Sequence, residues 1–137
     1  MLVVDTGPLV AAASAREAEH QRCVDLLSSA RRPIVVPSLV VAEVAYFLAS
    51  RLGARAEAAF AGAIAGGELQ VVPPAVQEWE RIQALVIEYA DMPLGMVDAS
   101  LVALAERLGA TAIATLDRKH FGAVRPRHVD RFELLPA

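Results

Sequence analysis

Four carboxylates break into the apolar parts of this chain. Asp5 closes the run Met1-Leu2-Val3-Val4, and Glu43 interrupts the stretch from Leu39 to Leu48. Asp98 sits in Gly95-Met96-Val97-Asp98-Ala99-Ser100-Leu101-Val102, and Asp117 follows Ile113-Ala114-Thr115-Leu116. Taking a carboxylate out of water is costly unless it is paired, hydrogen-bonded or bound to a cation. No equivalent set of Lys or Arg intrudes on these runs, so one shared site is expected, with its charge balanced from outside. A hard divalent ion, Mg²⁺ or Mn²⁺, is the natural counter-charge because such ions prefer oxygen donors.

Without metal, four carboxylates at one site repel each other, and some hold protons at neutral pH. With metal they form a template for phosphodiester hydrolysis, in which the ion lowers the pKa of water and offsets the charge developing on phosphate. Two ions about 4 Å apart would do this symmetrically; the sequence leaves one ion and two equally open. Other chemistries have no foothold. There is no Cys–His pair, no Ser-His-Asp arrangement and no glycine-rich phosphate loop, and His20, His120 and His128 lack the spacing of zinc ligands.

Three of the four acids also have a plainer reading. Asp5 is placed to cap a helix beginning near Pro8, Asp98 to cap its own helix, and Asp117 to form a turn. Glu43 has no such excuse. Asp91 is a fifth candidate, but Asp91-Met92-Pro93 reads better as the turn that ends a helix. Thr6 and Thr115 carry hydroxyls beside the acids and are suited to orienting carboxylates or water.

The elements between these residues bring them together. Leu2-Val3-Val4 is a short apolar strand, followed by the turn Asp5-Thr6-Gly7-Pro8 and a short helix from Leu9 to Ala13. A helix is predicted over 17–30, a strand over 33–37, and a helix from Ser38, as N-cap, to about Leu52 with Gly53 as its stop. An Ala-rich helix (54–65) and a strand (69–72) follow. Next come a helix over 76–89, with Trp79, Ile82, Val86 and Tyr89 at core spacing, and another over 96–108. Strands at 111–114 and 132–135 complete the order. Short apolar strands alternating with helices predict one α/β domain over 1–137, with a mostly parallel sheet of about five strands. In such sheets the site lies beyond the carboxyl ends of the strands. Asp5 and Asp117 follow strands directly, and Glu43 and Asp98 lie near helix starts at that same edge, where the helix dipole favours negative charge.

Composition narrows the class. A hydrophobic fraction of 55% suits a sheet buried on both faces, or a surface kept for a partner. No apolar run approaches the roughly 18 residues of a membrane helix, and no basic stretch precedes the first apolar residues, so neither a membrane span nor a signal peptide is expected. A single cysteine, Cys23, excludes an intrachain disulfide and leaves a reducing, cytoplasmic setting as the expectation, with Cys23 itself as a small buried apolar residue. The net charge of −3 is unfavourable for binding nucleic acid. Five basic residues between Arg118 and Arg131 face only one acid, Asp130, which softens that objection. Arg118 and Lys119, directly after Asp117, are the expected contacts for a polyanion or an acidic partner; a solvated surface segment is the equally weighted alternative.

These residues resemble the PIN-domain ribonucleases, and within them the VapC-type toxins of bacterial toxin–antitoxin pairs. The resemblance is carried by Val4-Asp5-Thr6-Gly7-Pro8, by Pro37-Ser38-Leu39-Val40-Val41-Ala42-Glu43-Val44, by Val97-Asp98-Ala99-Ser100 and by Ala114-Thr115-Leu116-Asp117-Arg118. It covers essentially the whole chain; each motif is weak alone and the ordered set is specific. It implies a three-layer α/β/α fold and Mg²⁺- or Mn²⁺-dependent endonucleolytic cleavage of RNA. The family's acidic positions fall on Asp5, Glu43, Asp98 and Asp117, and its Thr or Ser position near the last acid falls on Thr115. It further implies a homodimer inhibited by a small VapB-type antitoxin. Independently of the family, the helices over 17–30 and 39–52 carry more apolar residues than one core-facing stripe needs, which also points to a partner or a second copy.

Three alternatives stand beside this reading. A phosphatase of the haloacid dehalogenase type also places an Asp after its first strand, but it needs another Asp two residues on, where this chain has Gly7. A PIN-fold metal-binding module without catalysis, or an RNA-processing nuclease with no toxin role, would use the same acids. Activity on RNA with added Mg²⁺ or Mn²⁺ separates the binding module from the nuclease. The RNA target is not encoded in any motif.

Overall fold

The computed structural model describes all 137 residues, Met1–Ala137. Its elements run β1 (Leu2–Val4), α1 (Thr6–Ala13), α2 (His20–Ser29), β2 (Ile34–Pro37), α3 (Ser38–Arg51) and α4 (Ala54–Ala65). They continue with β3 (Gln70–Val72), α5 (Glu78–Glu88), α6 (Gly95–Leu108), β4 (Ala112–Ala114), α7 (Arg118–Ala123) and β5 (Glu133–Leu135). The five strands lie in the order β3-β2-β1-β4-β5, and every pairing is parallel. The expected α/β sandwich is therefore present, with a wholly parallel sheet. No helix is long and apolar enough to cross a membrane.

Strand periodicity divides the interior in two. Alternate side chains of a strand point to opposite faces. Val3, Val35 and Ile113 point to one face and pack with α5 and α6 residues such as Ile82, Leu85, Leu101 and Leu104. Leu2, Val4, Ile34, Val36 and Ala114 point to the other and pack with Leu9 and Val10 of α1 and with Val40, Val44 and Leu48 of α3. Each buried Val, Leu or Ile contributes roughly 1.5–3 kcal/mol relative to exposure, so short strands suffice when both faces are covered. Cys23 is fully buried, as its neighbours predict.

The chain leaves β1 for β2 and β3 on one side, then returns to place β4 and β5 on the other. The direction of winding therefore reverses between β1 and β4. At such a switch point the connections after adjacent strands part and leave a crevice at the carboxyl edge.

Several local expectations change. The first helix begins at Thr6, three residues early, because Gly7 and Pro8 fall in its first turn, where backbone N–H groups have no intrahelical partner. Asp5 occupies the cap position without making a side-chain cap bond. The second helix begins at His20, after a turn in which the Glu17 N–H bonds the Ser14 carbonyl. Ser38 is the first residue of α3, with Pro37 at the cap position and no side-chain cap.

Helix α5 starts at Glu78, and Trp79 is 44% exposed instead of lying in the core. Glu78 is the reason. Its carboxylate accepts the Ala75 N–H and pairs with Arg107, which turns the Glu78, Ile82, Leu85 stripe inward and Trp79 out. The segment from Arg118 also contains an unanticipated helix, α7, capped by Asp117 and anchored by the buried Phe121.

Candidate active site

Asp5, Glu43, Asp98 and Asp117 line a single cleft of about 430 Å³ at the carboxyl edge of the sheet. Asp5 leaves β1 and Asp117 follows β4, on the two sides of the switch point. Glu43 enters from the second turn of α3, and Asp98 from the first turn of α6. Asp91 lies in the exposed turn after α5 and is not part of the cleft.

The hydroxyls beside the acids are used. Thr115, 1% exposed, donates to Asp5 Oδ2 at 2.9 Å and accepts the Asp117 N–H at 3.0 Å. Thr6 donates to Glu43 Oε1 at 2.6 Å, joining the first turn of α1 to α3. Both carboxylates are thus aimed by neutral donors that remove no charge from the cluster. Asp117 is held by its own helix: Oδ1 accepts the His120 N–H at 3.0 Å, and Oδ2 lies 2.7 Å from His120 Nδ1. His120 was not among the expected site residues. The signal was a Ser/Thr/Asp-like cap at Asp117 followed three residues later by a polar side chain.

The electrostatics follow from burial and crowding. Burial raises the Asp98 carboxyl to about 7, with the charges of Asp5, Asp117 and Glu43 acting in the same direction. Burial also raises Asp5; hydrogen bonds from the Thr6 N–H and the Thr115 hydroxyl pull it back, and the Glu43 and Asp117 charges add to the rise. Near neutral pH, without a bound cation, Asp98 is therefore only partly ionised.

No three of these side chains close on one point as a ready cage. The donor set nevertheless fits a hard divalent cation: four carboxylates, no sulfur, and a cleft whose lining includes only one cation, Arg51. Phe47 and Glu17 also line the cleft. Arg118 and Lys119 do not, and the Arg118 guanidinium turns to the carbonyls of Leu134 and Pro136. Arg51 was missed because its position follows from helical spacing along α3 and not from proximity in sequence to an acid.

A model of the PIN domain family matches residues 2–125. The chain is 36% identical over 135 residues to ribonuclease VapC26 of Mycobacterium tuberculosis, covering 98% of this chain and all of the relative. The crystal structure of Mycobacterium tuberculosis VapC20, described as a toxin cleaving the sarcin–ricin loop, matches with a TM-score of 0.83 at 22% identity, over 95% of this chain and 99% of that one. VapBC2 from Rickettsia felis, solved with a DNA fragment from its promoter, matches at 0.69 and 15% identity, over 97% and 96%. The structural likenesses support the fold, and the family model and the full-length relative fix the lineage: this chain belongs to the PIN-domain family, among its VapC-type members.

Proposed function

We infer that this protein is a divalent-metal-dependent endoribonuclease acting as the toxin of a toxin–antitoxin pair. The observation that carries the reading is the convergence of Asp5, Glu43, Asp98 and Asp117 on one cleft at the switch point, in a chain similar along its whole length to a ribonuclease. Asp5, Glu43, Asp98 and Asp117 would hold Mg²⁺ or Mn²⁺. When bound, the metal supplies Lewis acidity that makes water nucleophilic at neutral pH, and positive charge for the phosphate oxygens.

The chain's own residues do the rest. Thr115 and Thr6 fix the directions of Asp5 and Glu43, so ligand geometry is set before substrate arrives. Burial and the neighbouring acids raise the Asp98 carboxyl to about 7, so it is only partly ionised near neutral pH, and a bound cation would favour its ionised form. His120 and the α7 N-terminus hold Asp117 in place.

An antitoxin partner is part of the reading. The family resemblance implies a VapB-type antitoxin, and this chain has a second, mainly apolar cleft of about 420 Å³ between α1, α2 and α4 that such a partner could cover. Helix α4 buries none of its residues fully. A homodimer agrees with the 69% exposure of Tyr46 on α3. RNA cleavage by the purified chain in Mn²⁺, lost in chelator, tests the nuclease; sedimentation of the chain with and without the product of the adjacent gene tests the assembly. Intact RNA in Mn²⁺ refutes the first claim, and a stable monomer at micromolar concentration removes the dimer.

A further inference from the structure

The one cation lining the acidic cleft shares a helix face with Glu43. Glu43, Phe47 and Arg51 are spaced four residues apart on α3, and all three line the cleft; side chains at that spacing are neighbours on a helix. The helical rise sets Arg51 about 12 Å along the axis from Glu43, clear of the reacting centre. Its guanidinium carbon stands 4.6 Å over the Phe47 ring, a contact that fixes the planar fork. The one carboxylate within salt-bridge reach is Glu17, in the turn before α2, at 3.8 Å. That is beyond hydrogen-bond length, so the donors stay available. Both side chains are about half exposed, at 54% and 45%.

A polyanion entering this cleft meets five carboxylates, Glu17 included, on a chain of net charge −3. Metal bound there would serve the scissile phosphate; the rest of the strand needs another cation. Arg118 is committed to main-chain carbonyls, and neither it nor Lys119 lines the cleft. Resting on the ribonuclease reading, we propose that Arg51 is a substrate-binding residue that grips a phosphate beyond the scissile one, with Phe47 as its platform and Glu17 as the competitor it leaves. A planar fork matches two phosphate oxygens at once. The stacking against Phe47 limits the rotamer freedom lost on binding.

The test compares wild type, R51Q, R51K and E17Q in Mn²⁺ across a salt series. The probe is a fluorescent RNA spanning a cleavage site mapped in total cellular RNA. R51Q is expected to raise KM about tenfold with kcat within about twofold, and to reduce the slope of log KM against log salt by about one. R51K keeps the slope but loses part of the affinity, because it keeps charge without the fork. E17Q lowers KM; an unchanged value removes Glu17 from the proposal. Melting curves of the four proteins report folding separately. R51Q with wild-type KM and salt slope overturns the proposal, as does a loss confined to melting temperature. A wild type that leaves RNA intact refutes the ribonuclease reading itself, and the proposal falls with it.

Discussion

Thr115 and Asp5 meet across 110 residues of sequence, with the Thr115 hydroxyl donating to Asp5 Oδ2 at 2.9 Å. The same hydroxyl oxygen accepts the Asp117 N–H. One buried oxygen thereby ties the loop after β1 to the loop after β4 and sets the spacing of two acids across the switch point.

Replacing Thr115 by Val removes the donor to Asp5 and orphans the Asp117 N–H while keeping the shape. Cleavage is expected to fall about 10–100-fold, the usual cost of losing a group that orients a metal ligand. Stability should drop by about 1–3 kcal/mol for the polar group left unsatisfied. Thr115→Ser should restore both. A wild-type rate in Thr115→Val, measured by initial rates in Mn²⁺, would remove Thr115 from the site.

Stability without metal should depend on pH through Asp98. Its folded carboxyl titrates at about 7 against an ordinary value of 3.8, so the folded chain binds the proton more tightly than the unfolded one. The resulting stabilisation is complete below the ordinary value and is lost as pH rises through about 7. Asp5 is shifted in the same direction. In chelator the melting temperature should therefore fall between about pH 5 and pH 8, and the rise on adding Mn²⁺ should be larger at the higher pH. A flat chelator profile would contradict this electrostatic account.

Asp98→Asn removes the carboxyl whose ionisation at about 7 adds charge to the cluster, and with it one of the proposed metal ligands. At neutral pH the metal-free variant is expected to melt higher than wild type and to lose most of that pH dependence. Cleavage should be lost by about 100-fold or more. Full RNase activity in the purified variant would sink the metal-site assignment.

Arg118 offers a contrast between position in sequence and position in space. It follows Asp117 directly, yet its guanidinium donates to the Leu134 and Pro136 carbonyls. Arg118→Ala should destabilise the chain by about 1 kcal/mol, as for a modest exposed hydrogen-bond set, and leave KM for RNA near wild type. Chemical denaturation and steady-state kinetics check the two halves. A raised KM at unchanged stability would return Arg118 to the substrate path.

The order of strands and helices was legible in the residues because it is a local property. Runs such as Leu2-Val3-Val4 and Ile34-Val35-Val36 bounded by turn residues declare strands, and parallel pairing follows from the helices between them. Helix α7 was not legible. Its six residues carry no repeating apolar stripe, and what holds it is Asp117 at its start and Phe121 in the core. Trp79 misled for a related reason, since the stripe that turns inward on α5 begins at a buried carboxylate, Glu78, and periodicity scores only apolar residues.

The sequence by itself determined which acids are out of place and, through strand ends and helix starts, which edge they share. That Asp5, Glu43, Asp98 and Asp117 interrupt apolar runs, where a carboxylate is costly, is visible without coordinates; in the fold Asp5 is buried and the other three are half-buried. Tertiary structure alone decided their partners: Thr115 for Asp5, Thr6 for Glu43, His120 for Asp117, and Arg51, in place of Arg118 or Lys119, as the cation in the cleft. Pattern along a chain records what each residue tolerates around it. Which residue arrives there depends on how loops part at the switch point and which way α3 faces, and both are set by packing on the sheet.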